Sequence, residues 1–306
     1  MAMLPVFVTV ACGFDRVGES DHEPVRFITV DTDPDWSPDG RLIAFASSRG
    51  QGGIYVLRPD GTAMRQLFEG AASNVDWSPD GRRIAFQGDN GIYVIRRAGG
   101  RPRLVLRGER FSLPAWAPDG RELAVVEDRP DLATAIDVVR VDGRGLRRLL
   151  PPHPPKSDPH WNPVSASETE PAWSPDGRRI AFDARDGDIV TATVGGGLRH
   201  AIASGGYEPA WSPDGRLIAF NSGGGLWVAN ADGSGDKRLL ASNGSDPSWA
   251  PDSREIVFEV RHWIGRYSRR PQSLSIADVR SAGVRRLTYG SSGEDNPAWR
   301  GDRATP

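Results

Sequence analysis

Cysteine is nearly absent from this sequence, and that excludes a disulfide framework. The 306 residues include one cysteine, Cys12, so neither an intramolecular disulfide nor a cluster of thiolate metal ligands can form. An excess of charge of one sign is also missing, since 38 lysines and arginines are balanced by 40 aspartates and glutamates. A balanced chain lacks the general positive field that binds a phosphate backbone, so we predict no nucleic-acid partner.

Long apolar runs are missing as well. No stretch approaches the ~18 apolar residues that a transmembrane helix needs. A short apolar stretch, residues 3–11, ends directly before Cys12 and resembles the end of a bacterial lipoprotein signal peptide. Residues 1–24 are therefore predicted to be a lipoprotein-like N-terminus and linker with lipid on Cys12. The alternative is that residues 5–12 form a first strand or a frayed end.

Glycine and proline are abundant, and they indicate a chain that turns often. There are 36 glycines and 25 prolines, about a fifth of the residues, whereas an average protein has about 12%. Such a composition favours short strands over long helices.

A repeated five-residue word organises most of the chain. Successive repeat tryptophans are 38 to 41 residues apart, except where two intervals lengthen to 57 and 50 residues. This period is typical of a four-stranded propeller blade. The word Trp-Ser-Pro-Asp-Gly begins at Trp36, Trp77, Trp173 and Trp211, with variants beginning at Trp116 and Trp249 and a degenerate copy at Trp299.

Each part of the repeat has a structural role that its residues predict. Ser-Pro-Asp-Gly suits a tight turn, with proline at the second position and glycine where a positive φ is often needed. An apolar run such as residues 42–45 follows every turn and reads as a strand covered on both faces. Two further strands follow, so each unit predicts four antiparallel strands.

These units resemble the TolB-type repeats, also called WD40-like or PD40 repeats, of bacterial β-propeller proteins. The resemblance covers residues 25–300 and implies an all-β, six-bladed propeller of four-stranded antiparallel blades, followed by a tail over residues 301–306. Residues 25–29 read as a lone fourth strand and residues 297–299 as a lone first strand. Seven blades with a thin closing blade therefore remain an alternative.

Polar residues recur three positions before the repeat tryptophan, and we name these the mouth positions. Because each enters the innermost strand of its blade, we expect them to converge around one mouth of the central channel. The resemblance implies a binding site there for a peptide segment of a partner. Satisfying backbone N–H groups at the strand entrances is the alternative role. The mouth positions are Asp33, Asn74, Leu113, Glu170, Glu208, Asp246 and Asn296, of which Leu113 breaks the polar pattern.

Two insertions are predicted on the same face as this mouth. Because the strands of a blade are antiparallel, two kinds of link lie on that face. They are the link between strands two and three, and the link from strand four to the next blade. One insertion, residues 151–170, is rich in proline and contains His160 and Trp161. The other, residues 261–272, has the aromatic and arginine content of interaction hot spots; its candidate contact residues are Arg261, His262, Trp263, Arg266 and Tyr267. Both could instead be solvated, variable surface.

The sequence contains no recognisable catalytic motif. Neither a Gly-x-Ser-x-Gly elbow nor a His-Glu-x-x-His pair nor a phosphate-cradling loop occurs. We therefore predict a non-catalytic, monomeric propeller that mediates protein–protein interaction in the bacterial cell envelope, outside the cytoplasm, with membrane contact only through a lipid anchor. No cofactor or metal is predicted, although Ca²⁺ at the mouth is compatible with the acids. The alternatives are a carbohydrate-binding or metal-assisted carbohydrate-cleaving propeller, and a ring without a ligand.

Overall fold

Short antiparallel strands account for the whole described fold. The computed structural model describes residues 29–129, 134–149, 169–184, 187–195, 199–261 and 272–288. Within these ranges the strands form six sheets of four, and every sheet is built from strands that are consecutive in the sequence. The described residues contain no helix of the length and apolarity needed to cross a membrane.

The sheets are numbered as blades in chain order. Blade 1 contains β1 (Asp31–Trp36), β2 (Ile43–Ser47), β3 (Gly53–Leu57) and β4 (Arg65–Glu69). Blade 2 contains β5 (Ser73–Trp77), β6 (Arg83–Gly88), β7 (Gly91–Arg96) and β8 (Arg103–Arg107). Blade 3 contains β9 (Phe111–Trp116), β10 (Glu122–Asp128), β11 (Thr134–Arg140) and β12 (Arg147–Arg148). Blade 4 contains β13 (Thr169–Trp173), β14 (Arg179–Ala184), β15 (Asp188–Thr193) and β16 (Arg199–Ala203). Blade 5 contains β17 (Tyr207–Trp211), β18 (Leu217–Ser222), β19 (Gly225–Asn230) and β20 (Arg238–Ala241). Blade 6 contains β21 (Ser245–Trp249), β22 (Glu255–Arg261), β23 (Gln272–Asp278) and β24 (Val284–Arg286).

The prediction of an all-β, six-bladed propeller is confirmed. The repeat tryptophan closes the first strand of each blade, and the apolar run after the turn forms the second strand. Residues 1–24, 25–28 and 289–306 lie outside the described residues, so the lipoprotein-like terminus and the terminal strand segments of the seven-blade alternative stay predictions.

The Ser-Pro-Asp-Gly turn forms as its residues predict. In blade 1, the Gly40 N–H donates to the Ser37 carbonyl at 2.8 Å, and Gly40 has a φ of 67°, a conformation that glycine adopts without strain. The Ser37 hydroxyl donates to Asp39 Oδ1 at 2.7 Å and accepts from the Leu42 N–H at 2.9 Å. The aspartate therefore caps the turn, and these turns lie at the end of the ring opposite the mouth positions.

Among the residues that the structure describes, six apolar clusters hold the ring together, one between each pair of adjacent blades. Residues of the second strands alternate between the two neighbours of their blade: Ala44 packs toward blade 2, whereas Ile43 and Phe45 pack toward blade 6. All three are 0% exposed. Burying such a side chain contributes about 1.5–3 kcal/mol for the larger residues, which explains why the central positions of the strand after each turn are apolar.

The last blade closes directly on the first. One apolar cluster unites Trp36 and Phe45 of blade 1 with Val257 and Leu274 of blade 6. The Ser248 hydroxyl of blade 6 also bonds Asp35 of blade 1. We name this contact between blades 6 and 1 the seam, and in the described residues it involves no exchange of strands.

Candidate functional site

A channel of about 470 Å³ runs along the innermost strands. Because side chains alternate along a strand, each first strand sends two residues to the channel. One is the mouth position; the other directly precedes the repeat tryptophan and is named the channel position. The structure brings together the six described mouth positions, Asp33, Asn74, Leu113, Glu170, Glu208 and Asp246. The channel positions are Asp35, Asp76, Ala115, Ala172, Ala210 and Ser248.

Every described mouth position has a left-handed backbone. The φ values run from 49° at Asp246 to 57° at Glu208. The first strand also shifts register with the second strand at this point, for example between Thr32 and Asp35. Such a bulge re-aims a side chain, here into the channel mouth. Asparagine and aspartate tolerate this conformation better than other residues with a Cβ, which explains three of the six residues.

Carboxylates at the mouth link neighbouring blades. The Glu208 N–H donates to Glu170 Oε2 at 2.5 Å, and the Asp246 N–H donates to Glu208 Oε2 at 2.7 Å. The Asp33 carboxylate likewise accepts from the backbone N–H of Asn74. These bonds fulfil the alternative role considered from the sequence, since the acids satisfy backbone donors at the strand entrances.

Three of the acids at the mouth have raised pKa values because they are buried, and two of these three also lie close to other acids. Burial, with the nearby charges of Asp183 and Glu208, raises the pKa of Glu170 to about 8. Burial and the charge of Glu208 hold the pKa of Asp246 well above its usual range, and burial raises the pKa of Asp33. At neutral pH the mouth therefore retains protons that exposed carboxylates would lose.

A second pair of acids lies deeper, at the channel positions, and sequence reasoning missed it. Asp35 accepts from the Ser248 hydroxyl and from the Trp77 N–H, both at 2.6 Å. Burial raises the pKa of Asp35 to about 6. Burial and the charge of Asp35 hold the pKa of Asp76 well above its usual range. The alternation of side chains along a strand could have predicted this pair. The mouth position and the residue just before the tryptophan are two residues apart, so both side chains face the channel.

The remaining predicted contact residues are not placed by the structure. Arg261 ends β22, and its side chain is not described. The strand that leads into the second insertion, β22, reaches the mouth end, since Ser245 at the start of β21 pairs with Glu259 near the end of β22. The strand that follows the first insertion, β13, contains the mouth position Glu170. Those that lie outside the described residues are Cys12, His160, Trp161, His262, Trp263, Arg266, Tyr267 and Asn296.

A metal centre is not apparent in the part of the chain that the structure describes. There, no group of three or more histidine, cysteine, aspartate or glutamate side chains is arranged to hold a metal ion. The acids at the mouth and in the channel are instead engaged with backbone donors and with one another.

Comparison with known proteins agrees with this geometry. Residues 20–167 match the family model of the TolB β-propeller domain. A curated relative, the uncharacterized peptidase YuxL of Bacillus subtilis, is 25% identical over 176 residues, which is 57% of this chain and 19% of YuxL. The chain thus spans about a fifth of that relative.

Solved structures show the same fold. A protein assigned as TolB from Agrobacterium tumefaciens superposes with a TM-score of 0.62 and 22% identity, over 76% of this chain and 87% of that chain. TolB from Acinetobacter baumannii gives 0.60 and 20% identity, over 72% of this chain and 57% of its own. The matched segment is thus similar to the TolB β-propeller domain, and the chain shares its six-bladed fold with these TolB structures.

Proposed function

We propose that this protein is a non-catalytic propeller that binds a segment of another protein in the bacterial cell envelope at its channel mouth. One observation carries the proposal: the fold turns Asp33, Glu170, Glu208 and Asp246, which are far apart in sequence, toward a single opening. The channel of about 470 Å³ has the size of a small-ligand site. It therefore suits a few side chains of a peptide rather than a folded domain.

The chemistry of the mouth favours a cationic group on that segment. Burial and mutual repulsion raise the pKa of Glu170 to about 8 and disfavour ionisation of Asp246. An ammonium or guanidinium group would stabilise the ionised forms and so release protons as it binds. We therefore expect a lysine or arginine side chain, or an amino terminus, to enter the mouth.

Proton release makes the affinity depend on pH. The free mouth binds more protons at about pH 6 than at about pH 8, so a cationic peptide must displace more of them at the lower pH. We expect binding to tighten as pH rises through this range. Calorimetric titration in two buffers of different ionisation enthalpy measures the protons released, and a heat that is the same in both buffers would contradict this step.

A matched pair of variants tests the mouth itself. Asp33→Asn, Glu208→Gln and Asp246→Asn together remove three ionisable carboxyl groups and keep oxygens that can accept the backbone hydrogen bonds. The control, Asp119→Asn, Asp214→Asn and Asp252→Asn, removes three charges from turns at the opposite end. Each folded variant is used to capture envelope proteins. We expect at least a tenfold loss with the mouth variant and retention with the control; unchanged capture by the mouth variant would refute the site.

The non-catalytic part of the proposal needs its own test, because YuxL is named a peptidase. This chain corresponds to 19% of that protein, and its own sequence has no nucleophile motif that we recognise. Incubation with a fluorogenic peptide library should give no turnover above the buffer rate. Turnover would overturn the non-catalytic assignment. Whether the mouth binds a partner would still be tested by the capture experiment.

The cellular location is proposed from the N-terminal sequence. The apolar residues 3–11 before Cys12 support export and lipid attachment at Cys12. We expect the full chain to incorporate labelled fatty acid and to sediment with membranes, and Cys12→Ser to lose both properties. Equal labelling of the two proteins would contradict attachment at this residue.

A further inference from the structure

A cleft lined with arginines lies on the face opposite the channel mouth, at the open end of the β6–β7 hairpin. We name it the blade 2 cleft. It has a volume of about 730 Å³. Its charged lining consists of Arg65, Asp80, Arg82, Arg83, Arg96 and Arg97. Among these lining residues, one carboxylate accompanies five guanidinium groups.

The arginines oppose one another across the hairpin. Arg83 of β6 pairs with Arg96 of β7, and the Arg97 N–H donates to the Arg82 carbonyl at 2.9 Å. Like charges directly opposite each other on antiparallel strands are destabilising. Repulsion between these arginines therefore destabilises the open end of the β6–β7 hairpin, and a bound anion would reduce this repulsion.

The other blades provide an internal comparison. At the position of Arg83 they have Leu42, Glu122, Arg179, Leu217 and Glu255. Where the equivalent residue is Arg179, its partner is Thr193, and the partner of Glu122 is Arg140. Among the described blades, blade 2 alone opposes two basic residues here, so the repeat fold does not require this arrangement.

Three of the five arginines are held in place and two are not engaged. The Arg65 guanidinium donates to the Arg97 carbonyl at 3.0 Å. Arg83 lies over the Trp116 ring, 4.6 Å from its centroid, and Arg97 pairs with Asp39 at 2.7 Å. Arg82 and Arg96 are exposed, and within the described ranges neither guanidinium has an ion pair or hydrogen bond. Fixed arginines beside unengaged ones form a partly preorganised anion site.

We propose that the blade 2 cleft binds a phosphate group. The planar guanidinium matches phosphate oxygens in bidentate geometry, and a phosphate can accept from several arginines at once. The group could belong to a soluble phosphate compound or to an anionic lipid headgroup. This site goes beyond the proposed function, because it lies on the other face and shares no residue with the channel mouth.

Titration with pyrophosphate and with inorganic phosphate tests the cleft. The test variant is Arg82→Gln with Arg96→Gln, and the matched control is Arg121→Gln with Arg140→Gln at the same two positions of blade 3. We expect saturable binding by the wild type, at least a tenfold weaker affinity in the test variant, and little change in the control. Without phosphate, the test variant should be at least as stable as the wild type, because a like-charge pair has been removed.

Vesicles distinguish the source of the phosphate. Cosedimentation with phosphatidylglycerol vesicles, compared with phosphatidylcholine vesicles, is measured for the same three proteins. Loss of binding in the test variant alone supports the cleft. The phosphate source is a lipid if the protein binds only anionic vesicles, and a soluble compound if it binds only pyrophosphate or phosphate. The proposal is overturned if neither probe binds saturably, or if the test variant and the control bind alike.

Discussion

The Ser248 hydroxyl donates a 2.6 Å hydrogen bond to Asp35 across the seam. The same hydroxyl accepts from the Trp36 N–H at 3.1 Å, and the other oxygen of Asp35 accepts from the Trp77 N–H of blade 2. One carboxylate thus connects blades 6, 1 and 2. The described residues exchange no strand across this seam, and these polar bonds supplement the apolar cluster that closes the ring.

Ser248→Ala should weaken the seam. The substitution leaves the Asp35 carboxyl without one donor and the Trp36 N–H without its acceptor. We expect the free energy of unfolding to fall by about 1–3 kcal/mol, measured by urea denaturation. Ser234→Ala, which removes an exposed turn hydroxyl bonded to Asp232, should cost less; an equal loss would show that the seam bonds have no special weight.

Glu170→Gln should flatten the pH dependence of stability. Burial and the charges of Asp183 and Glu208 raise the pKa of Glu170 from 4.5 to about 8, so the folded protein keeps a proton that the unfolded chain loses. This stabilisation is fully present below about pH 4.5 and is lost as pH rises toward about 8. We expect the decline in unfolding free energy from about pH 5 to 8 to be about 1–3 kcal/mol smaller in the variant.

A carboxylate shifted in the other direction serves as the control. A hydrogen bond from Ser174, with one from the Arg178 N–H, lowers the pKa of Asp176. The contribution of Asp176 to the free energy of unfolding is therefore complete above its unfolded pKa, and it is constant from about pH 5 to 8. Asp176→Asn should lower stability by a similar amount at each pH. If Glu170→Gln gave the same parallel offset, the raised pKa would be wrong.

Leu113→Asn should stabilise the protein. Leu113 has a φ of 51°, and a left-handed residue with a Cβ costs about 1–2 kcal/mol, less for asparagine. We expect a gain of about 1 kcal/mol in thermal or chemical unfolding. Leu42→Asn, at a partly buried leucine that packs against the blade 1 and 2 cluster, should be destabilising instead. A loss at Leu113 would mean that its apolar contacts outweigh the backbone strain.

Gly53→Ala should be one of the most damaging small substitutions in the ring. Gly53 has a φ of 141°, and a Cβ there would collide with the Phe68 carbonyl. We expect a loss of about 3 kcal/mol or more, because the obstacle is backbone. Gly223→Ala, with a φ of 59° and no neighbouring atom within 4 Å, should lose about 1 kcal/mol. Equal losses would show that the collision is relieved by movement of β4.

The repeat made most of the fold predictable. A turn with proline and glycine at fixed places, followed by an apolar run, determines two strands and the link between them, and its recurrence gives six blades. Convergence of Asp33, Glu208 and Asp246 follows from the same periodicity, because equivalent positions of a closed ring face one axis. Residues 151–168 and 262–271 belong to no repeat and lie outside the described residues, so their contact residues stay predictions.

Other features of the site depend on details that periodicity does not carry. The left-handed backbone at the mouth results from a bulge whose presence the residue types alone do not reveal, since Leu113 and Glu170 adopt it too. The Asp35–Asp76 pair occurs in two of the six blades, so it does not stand out as a repeat. The opposed arginines of blade 2 become visible only when strand register places Arg83 against Arg96.

Each described blade consists of strands that are consecutive in the sequence. The order of the blades along the chain can therefore change without a change in the shape of the ring. A circularly permuted chain, opened between blades 2 and 3 and joined by a linker across the seam, would keep all of the described sheets and both sets of channel-facing residues. Such a permutation would change the order of the blades along the chain without changing any described strand pairing.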